Sequence, residues 1–352
     1  MPKKRVTLQD IANTCGLCRN TVSKVFNGHS NVPEATKRLV IETARELGYG
    51  RFPGEISAVI PDSNQPAKHD KSISLLTRHK LLNHNFGAYF ITSFTDQISR
   101  LGYTLKVFEI STEEILQRKL PPQLDLAETA GILCIELFNR DYQDMITGLG
   151  IPCLFVDGYA RVCRSILNCD FVSMENYAAM FVLMDKLFEN GAERIGFVGD
   201  SEHCNSFFER WTGFATALMT KGMTWNDSIS ILDEDSDNYG DSAWYIEKLR
   251  KMPFMPDAFV CANDYIAIHL IAALKKIGCR VPDDVMVTGF DGSPEASLVE
   301  PTLTTVSIKS SEIGTLSAAA LDERIKHPDH PYRRVSVLSS PIFGESTNRK
   351  KI

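Results

Sequence analysis

The sequence lacks any apolar run long enough to cross a membrane, and no apolar segment follows its basic start. We therefore expect neither a membrane protein nor an exported one. Its nine cysteines are an odd number spread along the chain, which favours reduced thiols in a cytoplasm over a disulfide framework. The sequence also lacks a nucleophile–base constellation, a phosphate-binding loop and a dinucleotide fingerprint, so we predict neither an enzyme nor a cofactor.

The charge of the chain is unevenly distributed. The 352 residues, 43% of them apolar, suffice for two or three globular domains, and their net charge is −6. Residues 1–51 contain nine basic and four acidic side chains, a net charge of +5, which leaves −11 for the remainder. A small basic region beside a larger acidic one is typical of a protein that binds DNA phosphates with one domain.

Residues 7–27 have the pattern of two short helices joined by a tight turn. Thr7 is the expected N-cap of the first helix, and Asp10 can reach back to the cap. Gly16 follows the helix, where a left-handed C-terminal turn is expected. The apolar face of this helix, at i, i+3, i+4 spacing, is Leu8, Ile11 and Ala12.

The second helix, from about Cys18 to Phe26, has a buried stripe of Val22, Val25 and Phe26. Its opposite face is polar and basic and consists of Arg19, Asn20, Ser23, Lys24 and Asn27. Arginine can pair with a guanine edge and asparagine with an adenine edge, so this face favours DNA reading in the major groove. A third helix opened by Pro33 and ended by Gly48 completes the head, with a predicted buried face of Leu39, Val40, Thr43, Ala44 and Leu47.

Beyond the head, short apolar runs alternate with amphipathic helices. This alternation predicts parallel sheets covered by helices on both faces, with ligand sites beyond the carboxyl ends of the strands. We expect the first strand at 56–60, after a linker of only residues 52–55, and a polar connection over 64–85. In the alternative interpretation the first strand is displaced and part of 62–85 is the linker.

Several short motifs occur together in the order in which one protein family has them. In the head these are Thr7–Ala12, Gly16, Thr21–Val25 and Asn27–Gly28. In the body they are Leu154–Asp157, Gly191–Ile195, Arg210–Phe214, Cys261–Asp264, Val281–Val285, Gly289–Asp291, Pro301–Thr305 and Glu345–Thr347. Together they resemble the lac repressor/galactose repressor family of bacterial transcription regulators over nearly the whole chain. Cys18 departs from the pattern, because the family usually has a serine there.

The resemblance implies an all-α helix-turn-helix head and an α/β sensor domain of two lobes, similar to periplasmic binding proteins. The head is residues 1–51, and the linker 52–55 is shorter than in the family, which puts the family's hinge helix in doubt. The first lobe is expected to contain 56–165 and 308–326, and the second lobe 166–307 and 327–347.

The resemblance also implies the binding residues. Those expected to contact an operator in double-stranded DNA are Thr7, Arg19, Asn20, Thr21, Ser23, Lys24, Asn27 and Thr36. Those expected to contact a small polar effector, a carbohydrate in much of the family, are Asp157, Arg210, Asn263 and Asp291. Arginine donates several hydrogen bonds in a fixed geometry, and carboxylates accept hydrogen bonds from hydroxyl groups. These groups therefore suit a ligand with a ring of hydroxyls. The expected assembly is a homodimer without a metal, a cofactor or a membrane.

Some of these residues also have plainer interpretations. Arg210 and Asp291 could form a salt bridge that only ties the lobes together. Tyr239 and Trp244 could equally be pocket aromatics or core residues. Cys15 and Cys18 have the spacing of half a zinc site, but no second pair lies nearby, so we predict no metal there.

The predicted function is that of a cytoplasmic, dimeric, effector-controlled transcription regulator, a repressor by resemblance. The alternative is a cytoplasmic small-molecule receptor with weak or no effector-coupled DNA binding. The basic head favours the first interpretation, since a receptor alone does not need it.

Overall fold

The computed structural model describes residues 7–26, 71–78, 85–162 and 168–349, and in the head also 32–33, 36–37, 39–40, 43–44 and 47. The chain divides into two compact units, Met1–Pro66 and Ala67–Ile352. The helices are α1 (Leu8–Cys15), α2 (Arg19–Phe26), α3 (Asn85–Arg100), α4 (Thr112–Gln117), α5 (Arg140–Thr147), α6 (Tyr177–Glu189), α7 (Asn205–Thr220), α8 (Ser242–Lys251), α9 (Asp264–Lys276) and α10 (Ser310–Lys326). The strands are β1 (Ser72–Thr77), β2 (Leu105–Glu109), β3 (Thr129–Ile135), β4 (Cys153–Val156), β5 (Asp170–Met174), β6 (Ile195–Val198), β7 (Ala258–Cys261), β8 (Met286–Thr288), β9 (Thr305–Ser307), β10 (Arg334–Val337) and β11 (Ser340–Ile342).

The first unit contains the predicted helix-turn-helix. Thr7 and Asp10 form the expected capping box at α1, and Gly16 ends α1 in the left-handed region at φ 66°. A small core holds α1, α2 and the helical residues near 40 together: Ile11, Ala12, Val22, Val25, Phe26, Val32, Val40 and Ala44. One prediction for this core is wrong, because Leu39 is 46% exposed.

The first lobe of the second unit is built on a six-stranded parallel sheet with the order β10-β5-β4-β3-β1-β2. Both faces of its central strands are covered, so β1, β4 and β5 are buried along their whole length. One face packs on α3 and α10 and the other on apolar residues around α5.

The second lobe is built on the parallel sheet β6-β7-β8. Its core contains residues of the helices α6, α7, α8 and α9 together with the three strands. The short strands β9 and β11 form an antiparallel pair beside it. Three of the predicted effector residues, Asp157, Asn263 and Asp291, follow the carboxyl ends of β4, β7 and β8, where this fold binds ligands, whereas Arg210 lies in α7.

The structure corrects the predicted path of the chain at several points. Strand β1 lies at Ser72–Thr77, inside the segment 64–85 that we predict as a polar connection. All residues of β1 are buried, but Ser72, Ser74 and Thr77 are polar, so the sequence of this strand resembles a polar connection. The strand expected at 56–60 and the linker 52–55 lie outside the described residues.

Two strands lie in a different lobe from the one that the sequence predicts. Strand β5 follows the predicted boundary at 165/166 but pairs with β4 in the first sheet. Strand β10 falls in the segment 327–347, predicted for the second lobe, but pairs with β5. Both errors have one cause: β5 and β10 pair with each other over a separation of 163 residues, as between Phe171 and Arg334, and neither has a strong local pattern.

A close helix contact in the first lobe depends on a glycine. A Cβ atom on Gly314 of α10 would lie 2.5 Å from the Phe90 carbonyl oxygen and 3.2 Å from the Phe94 nitrogen of α3. We expect Gly314→Ala to lower the free energy of unfolding by about 1–3 kcal/mol, because overpacking outweighs the better helix propensity of alanine. Urea unfolding would measure this, with the exposed Thr315→Ala on the same helix as control. A Gly314→Ala protein as stable as the parent would contradict the contact.

Candidate functional site

Helix α2 presents its polar face to the outside of the head. Arg19, Asn20 and Lys24 are exposed, whereas Val22, Val25 and Phe26 are buried against the rest of the small core. The lysine lies in the last turn of α2, and the helix has no acidic residue in its first turn. This surface can approach phosphates and base edges without first burying an opposing charge.

The other predicted DNA contacts have less open positions. Thr7 is exposed, and its Oγ1 accepts a hydrogen bond from the Asp10 backbone N–H. Thr21, Ser23 and Thr36 are partly buried, and Asn27 lies outside the described residues. The structure therefore brings Arg19, Asn20 and Lys24 onto one exposed surface and leaves the threonines and Ser23 at its margins.

Cys18 occupies the cap position of α2. Its carbonyl accepts a 2.9 Å hydrogen bond from the Thr21 N–H, and its Sγ lies 3.1 Å from Thr21 Oγ1. These hydrogen bonds with Thr21 hold the pKa of the exposed thiol below its usual value. Cysteine thus fills the structural position of the family's usual serine. In the part of the chain that the structure describes, no group of three or more His, Cys, Asp or Glu side chains could hold a metal ion.

Asp157 joins the two lobes. It follows β4 in the left-handed region, at φ 60°, and is 8% exposed. Its carboxylate accepts hydrogen bonds from the backbone N–H groups of Gly158, at 2.8 Å, and Ser206, at 3.2 Å, and from the Ser206 hydroxyl. Because Ser206 lies in the first turn of α7, a carboxylate of the first lobe caps a helix of the second.

Arg210 is the most deeply buried cation of the cleft, with 2% of its side chain exposed. Its Nε donates to Asn176 Oδ1 at 3.0 Å, and its Nη1 donates to the Ala262 carbonyl at 2.7 Å. Nη1 also lies 3.1 Å from Asp291 Oδ1, and the guanidinium lies 3.9 Å from the ring centre of Phe290. The Arg210–Asp291 ion pair of the plainer interpretation is present, but it does not tie the lobes together, because both partners belong to the second lobe.

Asn263 is mainly a helix cap. Its Oδ1 accepts a 2.9 Å hydrogen bond from the Ile266 N–H at the start of α9, which leaves its amide group as a possible donor. The next residue, Asp264, is buried and accepts hydrogen bonds from Thr305 and from the Ser293 N–H. Burial and the nearby Asp291 raise the pKa of Asp264 to about 7.

The carboxylates of the cleft influence one another. Burial raises the pKa of Asp157 and of Asp291, and Arg210 counteracts both shifts. Asp157 in turn helps to raise the pKa of Asp291. Asp157, Arg210 and Asp291 therefore form one electrostatic cluster, in which each charge acts on the others.

Glu136 belongs to the same cluster, although sequence reasoning missed it. It follows β3 directly, and the register pairs Ile135 with Val156, so Glu136 lies beside Asp157. Burial, followed by the effect of Asp157, raises its pKa to about 7. The sequence offered one clue, an acidic residue directly after a buried strand. The left-handed backbone conformation of Glu136, at φ 56°, is visible only in the structure.

The two candidate aromatics are core residues or neighbours of the core. Tyr239 is 1% exposed, and its hydroxyl donates to the Asp233 carbonyl at 2.8 Å. Trp244 is partly buried and packs edge-on against Tyr239 with ring centres 5.1 Å apart. A different aromatic group faces across the cleft: Phe138 packs against the core of the second lobe, and its ring centre lies 5.1 Å from that of His203.

Comparison with known proteins agrees with this architecture. The model of bacterial regulatory proteins of the lacI family matches residues 7–51, and that of the periplasmic binding protein-like domain matches residues 184–347. The regulator CelR of Thermobifida fusca is 26% identical and the repressor PurR of Photobacterium profundum 27% identical. The matches cover 92% and 93% of this chain and 93% and 94% of those proteins.

Solved structures share the fold over almost the full length. A CelR–cellobiose complex matches with a TM-score of 0.69 at 24% identity, covering 97% of this chain and 100% of that one. A lac repressor dimer bound to operator and the anti-inducer ONPF matches with a TM-score of 0.67 at 20% identity, covering 98% and 99%. Among the described helices, none is both long enough and apolar enough to span a bilayer. The head, the two-lobe body and their full-length relatives together establish that the chain belongs to the lacI family of bacterial DNA-binding transcription regulators.

Proposed function

We propose that the protein is a cytoplasmic, homodimeric repressor that binds an operator through its head and a small polar effector, a sugar, between the lobes of its body. The observation that carries the proposal is the exposed surface of Arg19, Asn20 and Lys24 on a helix whose other side is buried. Thr7, Thr21, Ser23, Asn27 and Thr36 would hold the phosphates beside it. Two heads in a dimer double the phosphate contacts that one head can make.

The effector part of the proposal rests on the cleft. Asp157, Arg210 and Asp291 are brought together at the carboxyl ends of the strands, with Asn263 at the start of α9. Their carboxylates and amide match the donors and acceptors of a sugar. The CelR structure contains cellobiose in the same fold. We infer a binding role rather than catalysis, since Arg210 pairs with Asp291 and Asp157 accepts from Gly158 and Ser206, and none of these groups is paired as nucleophile and base.

Replacing Arg19 tests the reading role of α2. We expect Arg19→Ala to weaken binding to an operator selected from random DNA by about 1–3 kcal/mol and to relax the preference at one base position, because a bidentate base contact is lost. Competition binding against single-base variants of that operator would measure both effects. The control is the exposed Arg250→Ala in the sensor domain, which should bind like the parent.

Two outcomes would contradict this proposal. A loss that is equal on all DNA sequences would reduce Arg19 to a phosphate contact. Failure of the parent protein to enrich any sequence from the random pool would favour the alternative function, a small-molecule receptor without coupled DNA binding. Comparing operator affinity with and without a bound sugar then measures the coupling between the two sites.

A further inference from the structure

Carboxylates outnumber the cation in the interlobe cleft. The acidic groups Glu136, Asp157 and Asp291, here called the cleft carboxylates, face one guanidinium, that of Arg210. Arg210 is already engaged by the Ala262 carbonyl, Asn176 and Asp291. Its charge is therefore shared among these groups and Asp157, whereas Arg210 is not among the causes that shift the pKa of Glu136.

Glu136 has a buried acceptor atom without a donor. Its Oε2 is inaccessible to solvent and has no hydrogen-bond partner among the described residues. By contrast, both oxygens of Asp157 are used, by Gly158 and Ser206. A buried carboxylate oxygen without a donor costs free energy unless a ligand or a proton satisfies it.

A second buried acceptor lies under the same part of the cleft. Gln143 of α5 is 2% exposed, and its Oε1 likewise has no partner within the described part of the chain. This oxygen lies 3.2 Å from the position that a Cβ atom would take on Gly158, the residue after Asp157. Two buried acceptor oxygens, Glu136 Oε2 and Gln143 Oε1, are thus left without a donor among the described residues at this end of the first lobe.

Glu136 lies at the end of the first lobe that meets the second lobe. It lies beyond the carboxyl end of β3, next to Asp157 in the register of β3 and β4. Phe138, two residues later, packs against the core of the second lobe. The loop that carries Glu136 therefore faces the second lobe and contributes to the same cleft as Arg210.

We propose that Glu136 is the specificity residue of the effector site and binds a protonated amine, so that the effector is an amino sugar rather than a neutral one. This inference rests on the proposed effector-binding function and narrows it. An ammonium donates up to three hydrogen bonds and offsets the excess negative charge, whereas a hydroxyl donates one and offsets none. Asp291, with a third of its side chain exposed, is available for the hydroxyls.

Matched sugars test the proposal directly. The probes are glucosamine against glucose, galactosamine against galactose, and chitosan disaccharide against cellobiose, titrated calorimetrically into the full-length protein. We expect at least one amine to bind at least tenfold more tightly than its neutral counterpart. Neutral members that bind as tightly as the amines would overturn the proposal, and so would a panel in which no amine binds.

The Glu136→Gln variant keeps the size of the side chain and removes its charge. We expect it to lose at least tenfold in affinity for the amine that binds the parent and to keep the affinity for the neutral counterpart. Glu113→Gln, an exposed position in the same lobe, is the matched control and should bind like the parent. Unchanged amine affinity in Glu136→Gln would overturn the assignment. Thermal unfolding of both variants verifies that they are folded.

Protonation offers a second, independent measurement. Because the pKa of Glu136 is raised to about 7, part of the Glu136 carboxyl population is protonated at neutral pH and must lose its proton to the solvent when an ammonium binds. Affinity should then fall about fivefold from pH 7 to pH 6, as expected for one linked proton. Other charged groups also affect the pH dependence: Asp157 lies beside Glu136, and Asp291 and Arg210 lie across the cleft. The dependence of affinity on pH is therefore compared between the parent and Glu136→Gln.

The proposed function is tested separately with the same preparation. Operator binding without any sugar reports on the head alone. A protein that binds an amine but no operator would contradict the regulatory function and leave this inference standing. A protein that binds an operator and responds only to neutral sugars would contradict this inference and leave the regulatory function standing.

Discussion

Arg210→Met should lower the free energy of unfolding by about 3–5 kcal/mol and remove the response to the effector. The guanidinium is 2% exposed and serves the Ala262 carbonyl, Asn176 and Asp291 together. Methionine fills a similar volume but leaves these acceptors, one of them charged, without a donor in a buried site. Urea unfolding measures the stability, and calorimetry of a sugar that binds the parent measures the response.

The control for this variant is Arg118→Met. Arg118 forms an ion pair with Asp141 in which both side chains are 59% exposed, and exposed pairs contribute about 0–1 kcal/mol. If Arg210→Met is destabilised no more than Arg118→Met, the buried arginine does not organise the cleft. Asp291→Asn adds a milder test, because it keeps the shape of the cluster and should impair effector binding more than stability.

Asp170→Ala should destabilise the first lobe to a similar extent, by about 3–5 kcal/mol. Asp170 begins β5 and accepts hydrogen bonds from Arg324 of α10 at 2.7 and 3.1 Å, and from the Arg333 N–H at 2.7 Å. The side chains of the pair are only 5% and 6% exposed. Removing the carboxylate therefore leaves a buried guanidinium with no counter-charge, and unfolding in urea would measure the loss.

A double-mutant cycle separates this pair from ordinary packing. Replacing both residues, as Asp170→Val with Arg324→Met, should recover much of the stability that each of these two substitutions loses alone, since no buried charge remains. Glu128→Ala, which breaks the largely exposed pair with Lys106, is the control and should cost less than about 1 kcal/mol. Additive effects of the two buried substitutions would show that the ion pair is not coupled.

Local sequence patterns predicted the head well because its determinants are local. Thr7 and Asp10 are only three residues apart, and the role of Gly16 depends only on its own backbone conformation. The capping box and the end of α1 could therefore be predicted from the sequence. Strands β4, β6 and β7 were likewise predictable, since continuous apolar runs are what a doubly covered parallel strand requires.

Long-range pairs explain what the sequence did not reveal. Asp170 makes β5 look polar, and its partner Arg324 is 154 residues away. In the cleft, Arg210 and Asp291 were identified through resemblance, but Glu136 became a site residue only through the register of β3 with β4. Asn263 was predicted as an effector contact through the same resemblance, and this stays a prediction; the sequence did not reveal that its Oδ1 also caps α9.

The chain passes between the lobes more than once, after β5, after β9 and again between β10 and β11. Each lobe is therefore assembled from pieces that are distant in sequence. A truncated gene that stops before β10 would encode neither lobe completely, and a protease that cuts one crossing would leave the two lobes connected by the other crossings. Newly made chains share this constraint, because the first lobe remains one strand short until β10 has left the ribosome.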